Sequence, residues 1–85
     1  MEDVEVVVCY IILTHYGTYY TGITNNLIRR WKEHNQGKSS YLRKFKAKEV
    51  IHVELFLNRK EAARKERYIK NIGARKYLLN LRFRK

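Results

Sequence analysis

The sequence predicts an α/β fold of the α+β type, with a small three-stranded, mainly antiparallel sheet flanked by helices. Three observations predict it. Two segments rich in Val, Ile, Tyr and Thr lie close together near the N-terminus, a third segment alternates apolar and polar residues, and two further segments have helical periodicity behind capping residues. Because 85 residues can bury only a modest core, we expect a single domain over residues 1–85.

The first two strands are predicted over residues 4–13 and 19–24, joined as a hairpin. Between them the sequence THYGT offers a turn. Gly17 suits the left-handed position that ends a three-residue hairpin loop. The loop is therefore predicted at residues 15–17.

The length of this loop decides which side chains share a face of the sheet. With a three-residue loop, Ile12 pairs with Tyr20. Tyr10 then pairs with Gly22, and the two tyrosines lie on one face as diagonal neighbours. A two-residue loop would separate the tyrosines, because a one-residue slip moves the side chains of a strand to the other face.

The next segment, TNNLIRRWKEHNQG, predicts a first helix over residues 25–36. Thr24 or Asn25 can cap its N-terminus, and Gly37 can end it. Its inward stripe recurs at helical spacing and consists of Leu27, Trp31 and His34.

Residues 38–48 carry five basic residues and no acidic one. We expect a loop there with a short helical turn, followed by a third strand over residues 49–57. A second helix is predicted from Asn58, with Glu61 in the reciprocal capping position, to Gly73. The C-terminal segment is expected to pack three side chains on the core, namely Leu78, Leu79 and Leu81.

The charge of the chain indicates a polyanionic partner. Lys and Arg outnumber Asp and Glu by 19 to 8, which gives a net charge of +11 and a pI near 10.0. Nucleic acid is the first candidate. An anionic membrane surface is the other, but neither predicted helix has the broad apolar face that membrane binding requires, so no membrane partner is expected.

The cysteine and histidine content indicates neither a disulfide framework nor a zinc site. Cys9 is the single cysteine, and the three histidines are scattered. The apolar segment at residues 4–13 has no basic residues before it and no small-residue cleavage site after it, so it does not match a signal peptide. We therefore expect an intracellular, cytoplasmic protein.

Three polar side chains stand out on the predicted helices. On the second helix, Glu66 falls inside the apolar stripe, where a carboxylate must pair with a cation, reach solvent or bind a metal. On the first helix, Arg30 and His34 are four residues apart and share a face. Taken singly, each of these residues, like Tyr10 and Tyr20, is more often structural than functional.

Taken together, these residues resemble a known family. The segments CYIIL, YTGIT, IRRWKEH, EAARKE and IK follow one another as in the GIY-YIG nuclease domain of the small single-domain kind, which is also similar to the nuclease half of the bacterial excision-repair incision subunit. The resemblance runs from Val7 to Asn80. Val8, Cys9 and Thr21 depart from the letters of the motif at positions that contribute backbone and packing.

The resemblance implies a set of site residues. The implied catalytic residues are Tyr10, Tyr20, Arg30, His34 and Glu66. Substrate binding is expected at Gly22, Lys38, Arg43, Lys44, Lys46 and Asn80. Glu66 is the implied ligand of one divalent ion, Mg²⁺ or Mn²⁺, since no second carboxylate belongs to the motifs. Tyr10, relayed by His34, would activate the attacking water, with its pKa lowered by Arg30, His34 and the metal.

The implied function is a metal-dependent endonuclease that hydrolyses phosphodiester bonds in DNA, or in RNA. One domain leaves little means of reading bases, so we expect structure-specific or single-strand-specific cutting, or reliance on a partner protein for specificity, in DNA repair or recombination. One alternative is a non-catalytic nucleic-acid-binding module whose tyrosines stack on bases. Another is a ribosome-associated RNA-binding protein. Glu66 separates the alternatives, because a pure binder gains nothing from a carboxylate that faces phosphate.

Overall fold

The computed structural model describes residues 5–82 and confirms the α+β fold. A three-stranded antiparallel sheet has the strand order β2-β1-β3. The strands are β1 (Val7–Thr14), β2 (Tyr19–Thr24) and β3 (Ala47–Phe56). The helices are α1 (Leu27–Asn35), α2 (Ser40–Phe45), α3 (Arg59–Ile72) and α4 (Ala74–Arg82). None of these helices is long and apolar enough to cross a membrane.

The hairpin of β1 and β2 has the register that a three-residue loop predicts. Ile12 pairs with Tyr20, and Tyr10 pairs with Gly22. The loop ends at Gly17, whose φ of 79° lies in the left-handed region that glycine adopts without steric cost. The first strand begins at Val7 and ends at Thr14, later than the predicted 4–13, and predicted position 4 lies outside the described residues.

The central strand β1 separates two layers of core, because its successive side chains point to opposite faces of the sheet. On one face Tyr10 and Ile12 pack with residues of α1 and α2. On the other face Cys9 and Ile11 pack with residues of α3 and α4. The sheet is therefore covered by helices on both sides.

The start of α1 differs from the prediction. Asn26, rather than Thr24 or Asn25, caps the helix, and its side chain accepts a hydrogen bond from the backbone N–H of Arg29 at 3.0 Å. Thr24 still ends β2, and its hydroxyl exchanges hydrogen bonds with the backbone of Asn26. These bonds form a turn at Thr24–Asn26, so the helix begins at Leu27, later than the predicted residue 25. Gly37, with a φ of 78°, follows the end of α1 as predicted.

The basic segment after α1 is more regular than predicted. Instead of a loop with a short turn it contains the helix α2, which is anchored by the buried Leu42. The third strand also begins earlier than predicted, at Ala47, because Ala47 pairs with Thr14 at the end of β1. It ends at Phe56 rather than at Leu57.

The second predicted helix, α3, has the expected ends. The Asn58 side chain accepts a hydrogen bond from the N–H of Glu61 at 2.8 Å, and Gly73 follows with a φ of 92°. The Glu61 carboxylate lies 3.4 Å from Arg64 rather than on the backbone N–H of Asn58. The cap is therefore one-sided.

The C-terminal segment forms the helix α4, which docks through the buried Tyr77. Leu78 and Leu81 pack on the core as predicted. The prediction for Leu79 is wrong, because its side chain is exposed. On a helix, a residue two positions before Leu81 and two after Tyr77 points away from their shared face.

Candidate active site

The centre of the site is a contact between the hairpin and α1. The Tyr10 hydroxyl lies 2.9 Å from His34 Nε2, and both side chains are buried. The Tyr20 ring stands beside them, with its centroid 6.3 Å from the centroid of Tyr10 and 5.1 Å from that of His34. The length of the hairpin loop places the rings of Tyr10 and Tyr20 on one face of the sheet. The imidazole of His34 comes from the inward stripe of α1.

Both partners of this hydrogen bond are held neutral. Burial lowers the pKa of His34, and the nearby Arg30 charge lowers it further. Burial also raises the pKa of Tyr10, with a smaller contribution from Tyr20, and outweighs the opposing effect of Arg30. Arg30 thus lowers the pKa of Tyr10 as expected, but desolvation of the phenolate dominates, so the residues of this chain together raise that pKa.

Gly22 lies directly under the Tyr10 hydroxyl. A Cβ atom at position 22 would lie 2.6 Å from the Tyr10 Oη and 2.8 Å from its Cζ, closer than real Cβ contacts. The absence of a side chain at Gly22 therefore makes room for Tyr10. This is a different role from the approach of substrate to the backbone.

Arg30 stands beside the ring of Tyr20 with part of its donor capacity unused. Its Nε is buried and has no hydrogen-bond partner within residues 5–82. Glu33 Oε1 lies 3.6 Å from this Nε, which is within ion-pair distance but too far for a hydrogen bond. Arg30 lines a small pocket of about 250 Å³ whose other walls include Tyr20, His34 and Lys38. A buried donor without a partner favours an acceptor supplied by a ligand.

Glu66 reaches the site from the opposite side of the sheet. It lies on α3, and its side chain is 23% exposed and 3.2 Å from Lys70 Nζ. Its charge is near enough to raise the pKa of Tyr10, although burial raises it more. The cation predicted as one possible partner of Glu66 is thus Lys70.

A groove along the free edge of β2 connects these parts. It measures about 640 Å³, and its walls include Tyr20, Tyr41, Lys70 and Arg75. Tyr20 lines both this groove and the pocket at Arg30. Around this one strand edge therefore lie Tyr20, Tyr41, Arg30 and Lys70, the last being the ion-pair partner of Glu66.

The donor set fits a single hard cation. Within residues 5–82 there is no group of three or more His, Cys, Asp or Glu side chains that could hold a metal. Glu66 offers one half-buried carboxylate. Mg²⁺ commonly keeps several waters and takes only one or two protein carboxylates together with substrate phosphate, so one such ligand suffices.

The predicted substrate-binding residues do not all lie at this site. Lys38 lines the pocket with Arg30. Arg43 and Lys46 line a neighbouring depression that also touches His34, and Lys44 Nζ lies 5.4 Å from the centroid of the Phe45 ring. Asn80 lines a separate groove with Tyr77 and Lys65 between α3 and α4. The structure therefore does not bring Asn80 to Tyr10 and Tyr20.

Sequence reasoning missed two residues of the site. Lys70 follows Glu66 by four residues, a spacing at which opposite charges meet on a helix. Tyr41 reaches Tyr20 only because α2 forms, with 5.8 Å between the ring centroids. Cys9 takes no part: burial raises the pKa of its thiol to about 11, so it stays protonated.

Comparison with known proteins supports the fold. A model of the GIY-YIG catalytic domain matches residues 6–77. The chain is 39% identical over 64 residues to a UPF0213 protein of Clostridium perfringens, covering 74% of this chain and 69% of that one. It is 41% identical over 65 residues to a UPF0213 protein of Halobacterium salinarum, covering 75% and 84%. A solution NMR structure of a UPF0213 protein from Bacillus halodurans is similar with a TM-score of 0.58 and 29% identity, over 93% of this chain and 85% of that one.

Proposed function

The chain belongs to the GIY-YIG family, and from that premise we propose that it is a metal-dependent endonuclease that hydrolyses phosphodiester bonds in DNA. One observation carries the proposal. The hydrogen-bonded pair of Tyr10 and His34 lies next to Arg30, whose buried Nε is within ion-pair distance of Glu33 but has no hydrogen-bond partner among residues 5–82. A proton acceptor and a guanidinium with free donors are what a phosphate ester and its attacking water require.

Arg30 binds the scissile phosphate in this account. Its planar guanidinium can donate two parallel hydrogen bonds to phosphate oxygens and keeps its charge at any working pH. Charge that builds on those oxygens in the transition state strengthens these bonds. Lys38, in the same pocket, adds positive charge at the phosphate.

Tyr10 and His34 accept the proton of the attacking water as a relay. Tyr10 Oη takes this proton while its own hydroxyl proton passes to His34 Nε2, and the resulting hydroxide attacks phosphorus in line with the leaving 3′ oxygen. The imidazole ends protonated, and Tyr10 never carries a full negative charge. The raised pKa of Tyr10 supports this relay over a free tyrosinate base.

Glu66 would hold Mg²⁺ or Mn²⁺. Bound there, the ion would supply a Lewis acid that stabilises negative charge on the phosphate and on the leaving oxygen. Lys70 pairs with the Glu66 carboxylate and also lines the groove of β2. Without that carboxylate as its partner, the Lys70 ammonium would be placed to contact a phosphate.

The alternative is a binding module that holds nucleic acid without cutting it. The same basic residues and exposed rings support it. The two functions differ at Glu66, whose negative charge repels phosphate in a pure binder. Two results together would establish the binding module. The parent would cut no DNA with any metal, and Glu66→Ala would bind DNA more tightly than the parent.

The proposal is tested by replacing Arg30 beside a matched neighbour. Arg30→Gln should slow DNA cleavage at least about 100-fold, because it removes the guanidinium from the phosphate. Arg29→Gln removes the same charge from an exposed position on the same helix and should leave the rate within about twofold. Equal rates in the two variants would overturn the role of Arg30 and with it the proposed site.

A further inference from the structure

Four aromatic side chains form a continuous row that starts at the candidate active site. Tyr20 on β2 is followed by Tyr41 and Phe45 on α2, and then by Tyr16 in the hairpin loop. The ring centroids are separated by 5.8 Å, 4.7 Å and 6.0 Å in that order. The row therefore leads from the catalytic pocket across the outside of α2 to the turn between the first two strands.

The row is more exposed than packing alone requires. Leu42 already anchors α2 on the core and is 1% exposed. Tyr41 and Phe45 are only half-buried, and Tyr16 at the end of the row is 69% exposed. Because an aromatic side chain left in water contributes little to folding, the exposed faces are available to a ligand.

The segment that carries the middle of the row is strongly basic. The segment of residues 38–48, which contains α2, has five basic residues and no acidic one. The Nζ atom of Lys44 lies over the Phe45 ring, and Arg43 and Lys46 line the adjoining depression. Flat rings flanked by cations match a ligand that carries both bases and phosphates.

We infer that Tyr41, Phe45 and Tyr16 form a stacking track for the unpaired bases of a DNA strand whose backbone passes the catalytic pocket. The inference rests on the proposed function and names the substrate of the same site. Bases in a duplex are stacked on each other and hide their faces, whereas those of an unpaired strand can lie on protein rings. The track therefore favours single strands and the single-stranded arms of branched DNA.

The test is equilibrium binding in EDTA, where no cleavage occurs, measured by fluorescence anisotropy with the full chain. The probes are a labelled oligothymidylate, an abasic strand of the same length and a duplex. Tyr16→Ala and Phe45→Leu remove a ring, and Phe45→Leu keeps an apolar side chain in place. Tyr68→Ala, which removes a tyrosine that is 51% exposed on α3, is the control.

We expect Tyr16→Ala and Phe45→Leu each to weaken oligothymidylate binding about 5- to 150-fold, the range for one lost base stack. Binding of the abasic strand and of the duplex should stay within about twofold, and Tyr68→Ala should change nothing. Equal losses on all three probes would show a contribution of charge or folding and overturn the track. So would undiminished binding of oligothymidylate by both variants.

The outcome is separable from that of the proposed function, because the binding assay needs neither metal nor catalysis. A protein that cuts no DNA but loses oligothymidylate binding in Tyr16→Ala would keep the track and lose the endonuclease. A protein that cuts DNA while both ring variants bind normally would keep the endonuclease and lose the track.

Discussion

At the scale of single residues, the site depends on how closely Tyr10 sits on its own sheet. The Tyr10 hydroxyl fills the space where a side chain at position 22 would begin, and it is held there by His34. The glycine and the histidine thus fix the same hydroxyl from two sides. A change at either residue should move the reacting group.

Gly22→Ala should both destabilise the protein and disable it. The added Cβ would lie 2.6 Å from Tyr10 Oη, so the ring must shift, at a cost of about 1–3 kcal/mol in the free energy of unfolding. Urea denaturation measures that cost. Adding Tyr10→Phe removes the nearest clashing atom, so the double variant should lose less stability than the two single losses combined. Additive losses would show that the contact is not what requires glycine.

His34 should titrate below its ordinary range. Its pKa is lowered from the ordinary value of 6.5 by burial and by Arg30, so protonation of this ring in the folded protein needs a lower pH than in a free histidine. An NMR titration of the ring protons should give a midpoint below that value. DNA cleavage should fall as the pH drops through the same midpoint, because a protonated imidazole cannot accept the relayed proton. A midpoint above 6.5 would contradict the relay.

Much of the residue-level site was predictable, and what was missed has a physical cause. The pairing of Tyr10 with Gly22 follows from one glycine in the hairpin loop. The direction of the pKa shift of Tyr10 does not, because desolvation depends on how completely α1 and the sheet close over the ring. Charge is visible in a sequence, whereas burial depends on the packed fold.

At the scale of elements, a charged side chain joins β3 to the two C-terminal helices. Glu54 accepts hydrogen bonds from the Tyr77 hydroxyl and from His52 Nε2, and it lies 3.7 Å from Lys65 Nζ. Burial alone would raise the pKa of Glu54, but these hydrogen bonds and the Lys65 charge together outweigh it and lower the pKa. The ionised carboxylate therefore stabilises the docking of α4.

Removing this carboxylate should weaken the fold in a way that depends on pH. A lowered pKa means that the ionised form contributes its full stability above the ordinary value of 4.5 and loses it as the pH falls through the folded value. Glu54→Gln should cost about 1–3 kcal/mol near pH 7, and the difference from the parent should shrink below pH 4.5. Thermal unfolding across that range measures it.

The control for this prediction is Glu61→Gln, which removes an exposed carboxylate paired with Arg64. Exposed pairs contribute little, so this variant should match the parent at every pH. A Glu54→Gln protein that is equally destabilised at pH 3 and at pH 7 would contradict the account of the network.

The helices and strands were predictable where their ends carry a strong local signal. Asn58 and Gly73 fixed the limits of α3, and Gly37 fixed the end of α1. Only a short helical turn was predicted where α2 forms, since six residues with two cations show no clear periodicity. It forms because Leu42 finds a place in the core, which is a tertiary contact.

At the scale of the whole molecule, the two faces of the sheet differ in what they carry. The face under α1 and α2 carries the Tyr10 and His34 pair, while the face under α3 and α4 carries much of the core. Lys70 on α3, the ion-pair partner of Glu66, lines the groove at the edge of β2 together with Tyr20. A net charge of +11 attracts polyanions to the molecule as a whole, and the attraction weakens with salt.

The central claim, metal-dependent cleavage of DNA at this edge, is tested most directly by one assay. Labelled single-stranded, duplex, flap and branched DNA are incubated with the parent and with Glu66→Ala, in Mg²⁺, Mn²⁺ or EDTA. The account predicts cutting of DNA with unpaired segments by the parent in either metal, none in EDTA and none by Glu66→Ala. Absence of cutting on every substrate, with undiminished DNA binding by both proteins, would contradict it.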